Sequence, residues 1–90
     1  IAITDAEGCF IFMNRGHATM FGYPGAEALI GQPWSVLYDA ENARHIGDVA
    51  LPMLAQNGRW RGEVLGRRKD GSAVEQEVSL TLAVDGGIVC

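Results

Sequence analysis

Two histidines, His17 and His45, and two cysteines, Cys9 and Cys90, are the side chains best suited to ligate a metal or attack a carbon. Their spacing matches no zinc pattern, and there is no CxxC pair. The chain also lacks a GxSxG elbow, an HExxH pair and a phosphate-binding loop. Its acids are scattered rather than paired at a telling spacing. These residues argue against catalysis. Gln76 offers a different chemistry, because it interrupts an apolar alternation between Val74 and Val78. An amide there could fix the polar edge of a ligand through paired donor and acceptor, or simply bind water near a strand end. Arg59, Arg61, Arg67, Arg68 and Lys69 form a basic cluster. Such a cluster could contact nucleic acid. It is read instead as a solvated strand face and turn, since Glu63, Glu75 and Glu77 stand on the neighbouring stretch and can pair across strands.

These residues must be positioned by elements that the pattern reveals. Ile1 to Asp5 is short, apolar and β-branched, and Cys9 to Met13 is a second apolar run. Ala6-Glu7-Gly8 between them is a turn, so the pair predicts a hairpin. Asn14 is a good N-cap for a short helix from Arg15 to Phe21, and Gly22 is its natural terminator. Ala26 to Ile30 makes about one helical turn, closed by Gly31. Asp39 caps a longer helix in which Ala43, Ile46, Val49, Ala50, Met53 and Leu54 recur near the helical period. Pro52 lies inside it and predicts a kink or an early end, and Asn57-Gly58 stops it.

Two long strands follow. From Arg59 to Lys69, Trp60, Gly62, Val64 and Gly66 share one face, and Arg61, Glu63, Leu65 and Arg67 the other. Lys69-Asp70-Gly71-Ser72 predicts a hairpin turn. From Ala73 to Val84, Val74, Val78, Leu80, Leu82 and Val84 share a face. Asp85-Gly86-Gly87 turns the chain into a fifth strand at Ile88. Strands at both ends with helices between predict an α+β fold: one five-stranded antiparallel sheet with short helices covering one face, the first strand beside the last. A concave sheet under short helices leaves a natural small-molecule cavity.

Composition sets the bounds. Ninety residues make one domain spanning 1–90. Hydrophobic residues are 48% and charged residues 20%, as in ordinary folded domains. Eleven acids against seven bases give a net charge of −4, which speaks against a nucleic-acid partner. Two cysteines are too few for a disulfide framework, and free thiols are the expected state. No apolar stretch is long enough to span a membrane, and no charged leader precedes one. A cytoplasmic location is therefore expected. The chain lacks an initiating methionine and reads as a piece of a larger protein, whose other parts could carry a membrane anchor.

Five motifs together resemble the PAS family, and they span nearly the whole chain. They are Ile3-Thr4-Asp5 with Gly8; Asn14 through Gly22-Tyr23; Glu27-Ala28-Leu29-Ile30-Gly31; Gly58-Arg59-Trp60-Arg61-Gly62-Glu63; and Arg67-Arg68-Lys69-Asp70-Gly71-Ser72. The resemblance implies a PAS-like fold with its last strand cut short at Cys90. It also implies a sensory, non-enzymatic role upstream of an effector such as a histidine kinase or cyclic-dinucleotide enzyme in the same parent chain. Homodimerisation through PAS–PAS contacts is implied as well.

The resemblance also sharpens the residues. His17 stands where the family usually has an inward aromatic, so it is a satisfied core histidine, one turned out to solvent, or a ligand contact. His45 lies where haem-binding members place their iron ligand, or is a surface histidine. Trp60 resembles the tryptophan of flavin-binding members, or is a packing residue. The reactive-cysteine helix motif of light-sensing members is absent, and Cys9 is on a strand. Haem and flavin thus enter as candidate cofactors, and no metal site is expected beyond His45. The expected pocket comprises His17, Met20, Val49, Leu54, Trp60, Val64, Gln76 and Val78. Occupancy by a small ligand, a cofactor state or a partner would shift the packing of helices on the sheet and so pass a signal on. The alternative is an interaction module with a filled core and no ligand.

Overall fold

The computed structural model describes residues 1–90. Five strands form one antiparallel sheet: β1 (Ala2–Thr4), β2 (Phe10–Met13), β3 (Arg59–Arg67), β4 (Ala73–Leu82) and β5 (Ile88–Val89). Their spatial order is β2-β1-β5-β4-β3, so the first strand does lie beside the last. Three helices, α1 (Arg15–Met20), α2 (Ala40–His45) and α3 (Leu51–Asn57), occupy the segment between β2 and β3, with a 3₁₀ turn at Trp34–Leu37.

The hairpin β1–β2 pairs Ala2 with Met13 and Ile3 with Phe12, with a bulge between Ile3 and Thr4. β2 begins at Phe10 rather than Cys9, which makes only an isolated bridge to Pro33. Asn14 caps α1 as expected: its Oδ1 accepts the His17 N–H at 3.0 Å. The other end closes by a Schellman pair. Tyr23 N–H donates to the Ala18 carbonyl at 3.0 Å, and Gly22 N–H to that of Thr19 at 2.9 Å. Gly22 takes φ +83° to do so, a conformation that side chains with a Cβ rarely adopt.

The long helix expected after Asp39 divides instead into α2, a π-helical turn at Ile46–Ala50, and α3. Pro52 explains the division. It has no N–H to donate to an α-helical partner, and the wider turn accommodates it, with Leu51 N–H reaching back five residues to the Ile46 carbonyl.

β3 and β4 pair over nine residues, from Arg59↔Thr81 to Arg67↔Ala73. The inward face of β3 is the expected one, and its glycines have a steric reason. A Cβ on Gly66 would sit 2.6 Å from Phe21 Cε1, and one on Gly62 would sit 2.5 Å from the Trp60 ring. Each glycine is the seat of an aromatic ring. Both strands end two residues before their expected limits. The Gly71 N–H closes a turn onto the Arg68 carbonyl, and the Gly86 N–H one onto that of Ala83. Val84, expected on the inward face, therefore stands in a turn and is fully exposed.

β5 bridges the halves of the sheet, with Val89 opposite both Ile3 and Thr81. Cys90 continues the pairing through two backbone hydrogen bonds with Ala2. α3 packs on β3 and β4, and α2 on β3. The main core cluster joins Ala2, Phe10, Ala18, Phe21, Leu29 and Leu37, among others, between sheet and helices.

Candidate functional site

A cavity of about 60 Å³ lies against the inner face of the sheet. β3 and β4 supply Trp60, Val64, Val78 and Leu80; α1 supplies His17; the segment after Pro33 supplies Trp34, Leu37 and Tyr38. Thirteen of its fifteen lining residues are hydrophobic, and none is Lys, Arg, Asp or Glu.

Helix geometry decides which α1 residues reach it. Ala18 and Phe21 are fully buried and His17 half-buried, so these three mark the inner stripe. The His17 ring stacks on Phe21 with centroids 5.5 Å apart. Met20 belongs to the opposite side and is exposed, so it is not a lining residue. Val49 is exposed as well. The extra residue in the π turn keeps Ile46 and Ala50 inward and turns Val49 out. Leu54 is the buried residue of α3 but lies outside the lining. Of the expected pocket, His17, Trp60, Val64 and Val78 thus meet at one cavity.

Gln76 lies just behind the wall. The Tyr38 hydroxyl donates to Gln76 Oε1 at 3.4 Å, a long contact for an O–H donor. Tyr38 carries no signal in the sequence, because it follows the Pro33-Trp34 interruption, where no periodicity applies. Leu80 does carry one: the alternation that brings Val78 into the pocket also turns Leu80 inward, although the expected pocket omits it.

The titratable groups of the wall are all biased toward neutrality. Burial pushes the His17 imidazole below its ordinary value, helped by the nearby N-terminal ammonium. Burial likewise pushes the Tyr38 phenol up, with the Cys90 thiolate adding to the effect. The Cys90 thiol is also raised by burial, and the N-terminal ammonium opposes this. Thr4 is already satisfied, since its Oγ1 donates to the Asp5 carbonyl and accepts the Ile88 N–H at 3.2 Å.

Outside lies an open cleft of about 550 Å³, lined by His45, Glu63, Glu75, Gln76 and Glu77 among others. Ile46 and Val64 belong to both spaces, so they form the partition between cleft and cavity. The cleft is larger but polar and more open; the smaller, more closed apolar cavity is the better small-molecule site. His45 is exposed at the end of α2 and faces the cleft, not the interior. Ligand pockets for cofactor-sized molecules run to about 300–1,000 Å³. The interior here does not fit haem or flavin, and Trp60 is folded over Gly62 as a packing residue. No group of three or more His, Cys, Asp or Glu is placed to hold a metal ion.

The basic cluster is largely engaged. Arg61 forms an ion pair with Glu77 at 2.6 Å, and Arg68 Nη1 donates to the Ser72 hydroxyl and the Ala73 carbonyl. Lys69 sits over the Tyr23 ring at 5.6 Å.

Comparison with known proteins agrees with this geometry. The family model described as PAS domain matches residues 1–90. The chain belongs to the PAS domain family. This PAS domain is 30% identical to the PAS domain of a Colwellia psychrerythraea protein, with a TM-score of 0.84 over 97% of this chain and 81% of that one. It is 26% identical to a domain of a sensory box sensor histidine kinase/response regulator from Geobacter sulfurreducens, with a TM-score of 0.74 over 97% and 75%. A PAS domain of a LuxR-family transcriptional regulator from Burkholderia thailandensis, solved in complex with ethanol, shares the fold at 19% identity. Its TM-score is 0.82 over 98% and 83%. The nitrogen fixation regulatory protein of Klebsiella oxytoca is 28% identical over 81 residues. The match covers 90% of this chain but 16% of that protein. PAS domains are sensory modules of signalling and regulatory proteins rather than enzymes, and no helix here is long and apolar enough to cross a membrane.

Proposed function

We propose that this PAS domain is the input module of a cytoplasmic signalling protein and that occupancy of the cavity behind Tyr38 is its signal. The observation that carries this reading is the partly enclosed apolar space bounded by His17, Tyr38, Trp60, Val64 and Val78. Its wall is built from both the sheet and the helical segment. A ligand there favours one packing of the two over another and so biases an effector in the same parent chain. The ethanol-bound Burkholderia domain, alike in fold, supports a small occupant.

The test is Val64→Phe in the full-length parent, which fills the cavity with little change at the surface. The variant should fold and hold its output at one level whatever the stimulus. An output that still follows the stimulus would sink the reading.

A second reading has its own observation. Ile11 and Phe12 on β2, the outermost strand, are 55% and 49% exposed, an apolar edge suited to a second PAS domain. If Val64→Phe leaves signalling intact while Phe12→Glu abolishes both a sedimenting dimer and the output, the domain is a contact module and its cavity is incidental.

A further inference from the structure

The size and chemistry of the cavity specify a class of occupant, and this step rests on the reading that the cavity is a ligand site. About 60 Å³ is several-fold below the roughly 300–1,000 Å³ of drug-sized ligand sites, so it admits a molecule of only a few non-hydrogen atoms. Neither haem, flavin nor a long acyl chain meets that limit.

Charge is excluded by the wall itself. No Lys, Arg, Asp or Glu lines the cavity, so an ammonium or carboxylate inside would have no counter-ion. The three titratable neighbours are poor substitutes, because burial biases His17, Tyr38 and Cys90 toward their neutral forms. On the far side of the partition, Glu63, Glu75 and Glu77 make the cleft repel anions.

One polar group is nevertheless invited. The Tyr38 hydroxyl has only a long 3.4 Å bond to Gln76, well beyond the usual O–H···O range, so its proton and lone pairs are available. The His17 ring lies half-buried at the same cavity, and its contact with the protein is a stacking one on Phe21. Thr4, by contrast, is saturated. The remaining wall, including Val64, Val78 and Leu80, is hydrocarbon.

We propose that the cavity selects a small uncharged molecule of a few non-hydrogen atoms carrying one hydroxyl or carbonyl, with its polar end at Tyr38 and His17. A short-chain alcohol or ketone is the chemical class.

The experiment is an amide-resolved NMR titration of this chain with 1-butanol, 2-butanone, butyrate and butylammonium, with dissolved xenon as an apolar probe. The two neutral compounds should shift the amides of Tyr38, Val64 and Val78 saturably. The two ions should bind at least about tenfold more weakly, since each must enter unpaired. Tyr38→Phe should weaken 1-butanol roughly two- to tenfold and leave xenon unaffected, because only the alcohol uses the hydroxyl. If butyrate or butylammonium matches 1-butanol, the class is wrong while the cavity stands. If neither 1-butanol nor xenon shifts the cavity amides, the space does not admit ligands, and the proposed input function falls with it. Should Tyr38→Phe fail to fold, the comparison of neutral and charged probes on the unaltered chain still decides.

Discussion

Phe21 has no exposed surface, and its ring rests where a side chain at position 66 would begin. Gly66→Ala places a Cβ 2.6 Å from Phe21 Cε1, so either the ring or the strand must move. Overpacking of this kind costs about 1–3 kcal/mol, which a urea midpoint at unchanged slope will report. Gly47 is the contrast. It lies in the π turn, where an added Cβ would meet nothing within 4 Å, and its backbone is not left-handed. Gly47→Ala should raise stability by up to about 1 kcal/mol through helix propensity alone. The opposite signs test whether the glycines of this chain are kept for space or for flexibility. Periodicity puts Gly66 on the inner face, but it cannot say that Phe21 needs the vacancy, because the two are joined only by tertiary packing.

Asp39 starts α2 by accepting the Asn42 backbone N–H at 2.8 Å and its side-chain amide at 2.9 Å. Those bonds hold its carboxyl below the ordinary 3.8, the backbone bond contributing most. A carboxyl with a lowered folded value stabilises the native state above its unfolded value, and loses that effect as pH falls through the folded value. The cap should therefore be fully effective at pH 5 and weaken below about pH 4. Asp39→Asn keeps a good cap that does not titrate. Urea midpoints of the two proteins should converge, or cross, between pH 5 and 2, and a constant difference would show that the carboxylate does not contribute through this cap. Asp70 is lowered by its bonds to Ser72 and acts in the same direction in both proteins. Both caps, Asn14 and Asp39, are legible from residue type. The π turn is not, because Pro52 announces a disturbance without saying whether the chain will kink, stop or widen.

Across the whole molecule, two hairpins, β1–β2 and β3–β4, are joined in the sheet by the two residues of β5 and by Cys90, which continues it against Ala2. Thr4 reinforces that join, since its buried hydroxyl accepts the Ile88 N–H at 3.2 Å. Thr4→Val preserves shape and leaves that N–H without a partner, which should cost about 1–3 kcal/mol. Amide exchange should quicken at Ile88 and Val89 before it does in the longer β3–β4 ladder. Equal acceleration everywhere would mean that the sheet opens as a single unit rather than at this seam.

The amino-acid sequence alone determined the order of elements, the inward faces of β3 and β4, both helix caps and the family. These depend on local spacing and on residue types whose preferences are strong. It also brought Trp60, Val64 and Val78 forward as pocket residues, because the strands carry a readable period, and His17, because the family resemblance puts an inward aromatic at its place. Tertiary structure alone decided the rest. The π turn rotated Val49 outward, the stripe of α1 left Met20 in solvent, and the turn after Leu82 exposed Val84. It set His45 on the cleft and brought Tyr38 against Gln76, thirty-eight residues away. A cavity's volume is what remains after all its neighbours have packed, so no local pattern encodes it. That remainder, about 60 Å³ without a charged side chain, is what separates a small neutral occupant from a cofactor.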